Sequence, residues 1–202
     1  MRGIEHVPWA YDASMVLLER GSLRGWRDAL VERAEGRTLE IGCGTGRNLS
    51  RYPSGVDLFA SDPDLALVIA ARRRSGLRRL VVARAEQLPF RDAVFDTVVS
   101  SLVLCSVEDP PQSLRELRRL LVSGGSLLVL EHVRSHRPFE AKLQDLSLRP
   151  WCWFTGGCHP NRETLAAIRE AGFVETDRVK RRGVMRLGRF APRQEPGGRQ
   201  KQ

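Results

Sequence analysis

The 202-residue chain has no apolar run approaching the ~18 residues of a membrane span, and no basic-then-apolar leader. The expectation is therefore a chain that neither crosses a membrane nor is secreted. Cysteine is scarce: four residues, at 43, 105, 152 and 158, with no C-x-x-C pair among them. That spacing removes zinc modules and disulfide-stapled scaffolds and predicts reduced thiols in a cytoplasmic protein. Cys152, Cys158 and His159 lie close in sequence without forming a paired metal motif, and no metal is expected. No internal repeat is visible. The length is that of one ordinary domain, large enough to bury a core.

Acidic residues are outnumbered, 24 against 33 basic, for a net charge of +9. Residues 176–202 hold nine Arg/Lys against two acids, whereas residues 1–175 carry 24 basic and 22 acidic residues and are nearly balanced. A charge surplus confined to the C-terminal end is expected to solubilise the chain, and nucleic acid is not the expected partner. The last stretch, 192–202, has no apolar face and reads as a disordered basic tail.

Strand and helix signals alternate. Strands are expected at 37–41, 56–61, 79–83, 94–100 and 126–132. Helices are expected at 46–52, from Pro63 through 74, and at 110–121, where Leu114, Leu117 and Leu121 share a face. The alternation implies a three-layer α/β/α sandwich with a Rossmann-like, mostly parallel sheet of about seven strands and an antiparallel edge. Residues 1–36 read as a helical cap with Trp9, Leu17, Leu18, Trp26 and Leu30 buried. Residues 37–191 form the main domain. Segments 175–180 and 184–190 are the candidates for the edge hairpin.

The chemistry gathers at the predicted carboxyl ends of the strands, where such sheets bind ligands. The first loop reads Leu39-Glu40-Ile41-Gly42-Cys43-Gly44-Thr45-Gly46. It lacks the Lys-Ser/Thr of a phosphate-binding P-loop, and its third glycine comes one position early for G-x-G-x-x-G. Three glycines permit unusual dihedrals and close approach to a ligand, while Glu40 can meet a cationic ammonium. Asp62 stands twenty positions past Gly42, an offset suited to ribose hydroxyls, and Pro63 follows it. Ala85-Glu86, Ser101-Leu102 and Glu131-His132 end the next three strands. This set suits S-adenosylmethionine. Asp62 has a structural alternative as a helix N-cap. Asp109-Pro110-Pro111-Gln112 reads as a cap and helix start.

Leu39–Gly46, Asp62, Leu88-Pro89-Phe90 with Phe95-Asp96, and the double glycine within Leu120–Leu130 together resemble the class I S-adenosylmethionine-dependent methyltransferases. A narrower resemblance is to the methyltransferase-like 7 group, thiol S-methyltransferases, and their small bacterial relatives. It rests on Ser101-Leu102-Val103-Leu104-Cys105-Ser106-Val107, Glu131-His132-Val133, Pro150-Trp151, Gly157-Cys158 and Arg162-Glu163-Thr164, and it extends to about residue 173. Most class I enzymes place an Asp where Arg84 stands. That group has none there and keeps an acid two positions on, as Glu86 is here. Its animal members carry an N-terminal membrane anchor that this sequence does not show.

The resemblance implies methyl transfer to a small acceptor. Glu40, Gly42, Cys43, Gly44, Gly46, Asp62, Pro63, Ala85, Glu86, Ser101 and Leu102 would bind the cofactor. On the acceptor side, Cys105, Trp151 and Cys158 are pocket candidates, although a Cys in an apolar run is commonly a core residue. His132, His159 and Glu131 are candidates for handling the proton of a thiol, whose ordinary pKa of about 8.5 leaves it mostly neutral at physiological pH. C- or O-methylation of a quinone-like or phenolic metabolite is the alternative. An RNA or DNA methyltransferase comes after it.

Overall fold

The computed structural model describes residues 23–155 and 157–193. The expected positions Trp9, Leu17 and Leu18 and the stretch 194–202 lie outside them. Helix α1, Arg24–Val31, buries Leu30 and Val31 and is followed by strand β1, Arg37–Ile41, whose last four residues are all buried. That pattern marks a central strand covered on both sides. Strand β2 is Asp57–Asp62 and helix α2 Leu65–Ser75. The Asp64 carboxylate accepts from Ala66 N–H and starts α2, and Gly76, at φ +71°, ends it. Strand β3 is Leu80–Val82 and β4 Phe95–Ser101. Helix α3, Pro110–Leu120, begins at Asp109, whose side chain accepts from Gln112 N–H, and it buries Leu114, Leu117 and Leu120. Strand β5 runs over Leu121–His132 and helix α4 over Pro138–Thr155. The described chain ends with helix α5 (Thr164–Glu170) and strands β6 (Phe173–Glu175), β7 (Lys180–Arg182) and β8 (Met185–Pro192).

One sheet has the order β3-β2-β1-β4-β5-β8-β6, with β7 also paired to β8. The first five strands are parallel, with Glu40 beside both Ala60 and Val99, and Val99 beside Leu128. Strand β8 runs antiparallel to β5, with Leu130 opposite Leu187, and antiparallel to β6 and β7. The expected α/β/α sandwich with an antiparallel element near one edge is the observed fold. The antiparallel strand does not form the rim, however; it is enclosed between β5 and β6.

Alternate residues of each strand point to opposite layers. Leu39, Ile41, Val98, Leu127 and Val129 pack with Leu114, Leu117 and Leu120 of α3 and with Leu165 and Ile168 of α5. On the other face, α1 sets Leu30 against Val99, Leu128, Leu130 and Leu187. Continuing that face, Leu58 and Ala60 meet Ala71 of α2. Phe59, Phe90 and Phe95 meet edge-to-face with centroids 5.0–6.1 Å apart, tying β2, β4 and the loop between β3 and β4 together.

Three expectations change. Residues 46–52 are not a helix but successive turns, with Leu49 N–H donating to Gly46 O and Arg51 N–H to Asn48 O. Gly46 sits at φ +78°, which no α-helix accepts, and the chain tightens into three-residue turns instead. The β5 strand includes Gly124-Gly125, expected as a break, because a register shift between Phe95 and Thr97 absorbs the extra residues. The basic surplus is largely built into structure: Lys180, Arg181 and Arg182 form β7, and Arg186 and Arg189 lie in β8.

Candidate functional site

The carboxyl ends of β1, β2 and β4 adjoin one another, so their loops form a continuous rim. Gly42, Gly44 and Gly46 all adopt positive φ, +56°, +54° and +78°. A side chain at Gly42 would place its Cβ 2.5 Å from Val103, and one at Gly46 would come 2.9 Å from the Ala71 backbone. The missing Cβ atoms thus let the 101–105 loop and α2 close against the turn. Asp62 is buried at the end of β2; its Oδ2 accepts from Gly44 N–H at 2.8 Å and its Oδ1 from Asp64 N–H at 3.0 Å. Because Asp64 caps α2, Asp62 is not spent on that task. It joins the glycine turn to the second strand end.

Glu40 does not open onto the rim as a strand-end acid. It is 1% exposed. Its Oε1 accepts from Asn48 Nδ2 at 2.7 Å and its Oε2 from Tyr52 Oη at 2.9 Å, while Arg27 donates to Asn48 Oδ1 at 2.8 Å. Burial raises its pKa to about 7, with the Tyr52 and Asn48 bonds and the Arg27 charge opposing. Glu40 therefore braces the turns that follow the glycines. Asn48 and Tyr52 were not distinguishable from surface polar residues in the sequence, since the network forms only when 46–52 folds back.

Glu86 is likewise engaged: its Oε1 accepts from Glu108 N–H at 3.1 Å and Asp109 N–H at 3.3 Å, and Arg84 bridges Glu86 and Glu108. It links the third loop to the entry of α3. Ala85 beside it is buried. At the end of β4, Ser101 Oγ is buried with no hydrogen-bond partner, and Leu102 is held at φ +62°. A non-glycine residue in that region stores backbone strain, which persists where the surroundings fix it. Here Leu102 N–H donates to Leu130 O at 2.7 Å.

Glu131, expected among the proton-handling candidates, is held as a clamp on the loop after β4. It is fully buried; Oε1 accepts from Ser100 Oγ (2.6 Å), Val103 N–H (3.1 Å) and Leu104 N–H (3.0 Å), and Oε2 from Cys105 N–H (3.2 Å). Burial raises its pKa, and these four donors oppose the rise. Arg162, which the sequence offered only as part of a resemblance, clamps the same loop from the other side by donating to Leu104 O (2.7 Å) and Val107 O (3.0 Å).

Residues 101–105 are thus fixed against the glycine turn at one end. At the other they bring Cys105 against Cys158, with the sulfurs 3.5 Å apart. His132 and Trp151 lie near the Cys158 sulfur. The contact with Cys105 and the nearby His132 lower the pKa of Cys158 against its burial, while the contact with Cys158, burial and the nearby Glu131 raise that of Cys105. Four expected acceptor-side residues, Cys105, His132, Trp151 and Cys158, therefore meet. His159 stands one step aside: its N–H donates to Cys105 O at 2.9 Å and its Nδ1 lies 3.5 Å from Arg162. Trp153 is exposed on α4. Among the described residues there is no metal-binding cluster and no helix long and apolar enough to cross a membrane.

A parallel sheet whose first strand leads into a positive-φ glycine turn, braced by an acid at the second strand end, defines the nucleoside-cofactor class of α/β proteins. Residues 39–129 match the family model described as a methyltransferase domain. The chain is similar to the thiol S-methyltransferase TMT1B of Rattus norvegicus, 39% identical over 145 residues, which cover 68% of this chain and 59% of that protein. It is also similar to the demethylmenaquinone methyltransferase of Renibacterium salmoninarum, 33% identical over 134 residues, covering 64% and 56%. The alignments thus span only about three-fifths of these relatives' lengths. The fold matches a solved S-adenosylmethionine-dependent methyltransferase from Thermotoga maritima, a possible histamine N-methyltransferase, with a TM-score of 0.72 at 22% identity, covering 93% and 96%. Residues 39–129 thus belong to the methyltransferase-domain family, and the chain is similar in sequence and fold to S-adenosylmethionine-dependent methyltransferases. Its cofactor is S-adenosylmethionine, and the unpartnered Ser101 hydroxyl and strained Leu102 at the rim fit a group placed there.

Proposed function

We propose that the chain transfers a methyl group from S-adenosylmethionine to a small-molecule thiol. One observation carries the choice of site: the 101–105 loop touches the glycine turn through Val103 and delivers Cys105 to the Cys158–His132–Trp151 cluster. In this reading the cofactor side comprises Gly42, Cys43, Gly44, Gly46, Asp62, Pro63, Ala85, Glu86, Ser101 and Leu102. Asp62 would receive the ribose hydroxyls while holding Gly44, and Ser101 Oγ would gain the partner it lacks. Glu40 acts through Asn48 and Tyr52 to set the shape of the turn.

S-adenosylmethionine supplies a methyl already activated on a sulfonium. The chain's own residues have three tasks: hold the acceptor in line, exclude water, and remove the thiol proton. His132 is the proton acceptor in this proposal, because it ends β5 at the cluster. His159, whose Nδ1 faces Arg162, is a weaker candidate. The rat relative's name supports a thiol acceptor. The demethylmenaquinone relatives support a second reading, methylation of a quinone-like carbon on the same scaffold.

The test is a screen with methyl-labelled cofactor against alkyl and aryl thiols, phenols, naphthoquinols and RNA. Label appearing as a thioether supports the thiol reading. Label confined to quinol carbon or to RNA would overturn it.

A further inference from the structure

We propose that Cys105 and Cys158 form a reversible oxidation site, which peroxide converts to a disulfide joining the β4–α3 loop to the segment before α5. The sulfurs are already 3.5 Å apart although the residues are 53 positions apart. The backbones around them are locked in register: His159 N–H bonds Cys105 O, Glu131 gathers the N–H groups of 103–105, and Arg162 holds Leu104 O and Val107 O. Closure therefore asks only that two side chains shorten their contact to the roughly 2.05 Å of a disulfide bond.

The two thiols are not equivalent. Cys105 is completely buried, whereas Cys158 keeps 8% of its surface. The Cys158 sulfur contacts Cys105 and lies near His132, an environment that favours its thiolate, the form that oxidants attack. In the first step the Cys158 thiolate gives an electron pair to one peroxide oxygen. An S–O bond forms, the O–O bond breaks, and hydroxide leaves. In the second, Cys105 sulfur attacks the Cys158 sulfenic acid. The S–S bond forms, the S–O bond breaks, and the departing oxygen takes the Cys105 proton and leaves as water. The hydroxide takes up the proton that Cys158 lost on ionising, so the net change is two thiols and one peroxide giving one disulfide and two waters.

Neither remaining cysteine has this arrangement. Cys43 lies in the glycine turn, and Cys152 directs its thiol to the Cys158 carbonyl oxygen at 3.1 Å rather than to the sulfur.

The experiment treats the full chain with hydrogen peroxide, blocks free thiols, and maps cysteine peptides by mass spectrometry, in the wild type and in Cys152→Ala. A Cys105–Cys158 crosslink in both proteins, opened by dithiothreitol, is the expected result. Cys105→Ser should instead stop at a Cys158 sulfenic acid captured by dimedone. Two free thiols at peroxide levels that oxidise Cys152, or a Cys152–Cys158 crosslink in the wild type, would overturn the proposal. The mapping does not depend on the acceptor. Methyl transfer, measured on the same samples, reads the proposed function separately: if the acceptor binds beside this pair, the crosslink should lower transfer. If the crosslink forms and transfer persists, the placement of the acceptor beside this pair fails while the oxidation site stands.

Discussion

Replacing Glu131 separates a structural clamp from an acid–base residue. In Glu131→Gln, the amide oxygen can keep Ser100 Oγ, Val103 N–H and Leu104 N–H, which all bind Oε1. The amide nitrogen must then face Cys105 N–H, setting donor against donor where Oε2 accepted. One buried N–H loses its acceptor, at a cost of about 2 kcal/mol. Glu131→Ala strands three backbone N–H groups and a hydroxyl, and about 4 kcal/mol or more is expected. For a domain of this size the Gln variant should melt about 4–8 °C below the wild type. Differential scanning fluorimetry and the pH dependence of methyl transfer, measured side by side, give the test. Turnover should fall as the loop loosens, but its apparent pKa values should stay in place. A Gln variant with wild-type melting and an ionisation missing from the profile would refute the clamp and restore Glu131 as a proton-handling group.

Three further outcomes follow from the same geometry. Glu40 has its pKa raised from 4.5 to about 7 in the fold. The folded state thus holds a proton that the unfolded chain releases, so Glu40's contribution is greatest below pH 4.5 and is lost as pH rises through 7. The size of that loss is about 3 kcal/mol. Urea titrations should show Glu40→Gln flattening the decline between pH 5 and 8, and an equally steep variant would contradict the assignment. Gly42→Ala meets Val103 at 2.5 Å and occupies φ +56°, so cofactor affinity by calorimetry should weaken about tenfold or more, the equivalent of ~1.4 kcal/mol. Gly55→Ala, with nothing within 4 Å, should bind as the wild type does. His132→Ala should lower turnover with a thiol acceptor at least tenfold, about 1.4 kcal/mol, whereas His159→Ala should leave it near wild type. The reverse pattern would move the base to His159.

The fold was legible where the code is local. The alternation of apolar runs with capped helices placed β1 to β5 and α3, because strand period, Asp109-Pro110 and the leucine spacing act over a few residues. The C-terminal strands were harder to place. Lys180–Arg182 has no apolar face, and it pairs only because β8 offers it an edge. At the site, the glycine turn and Asp62 carried their own signal in sequence spacing. Glu131 and Glu40 did not, since an acid ending an apolar strand looks the same whether it faces a ligand or a ring of distant donors. Glu131's backbone partners lie 26–28 positions away, and Glu40's arrive through a turn that had been expected as helix. The Asp62/Asp64 choice turned on two residues, and only the observed Ala66 N–H contact settles which acid caps α2.

The enclosed position of β8 has a consequence for how the chain is made. Of the sheet's inner strands, it is the one translated last, yet it lies between β5 and β6 and supplies Leu187 and Phe190 to opposite layers. Until residue 192 has left the ribosome, β5 presents a bare edge over Leu127–His132 and β6 has no neighbour. The nascent chain can assemble its glycine turn and first five strands early. It must then keep a slot open for the final strand, a long-range closure that is slow by its topology. A chain interrupted before Met185 would hold the cofactor rim beside an exposed, adhesive flank.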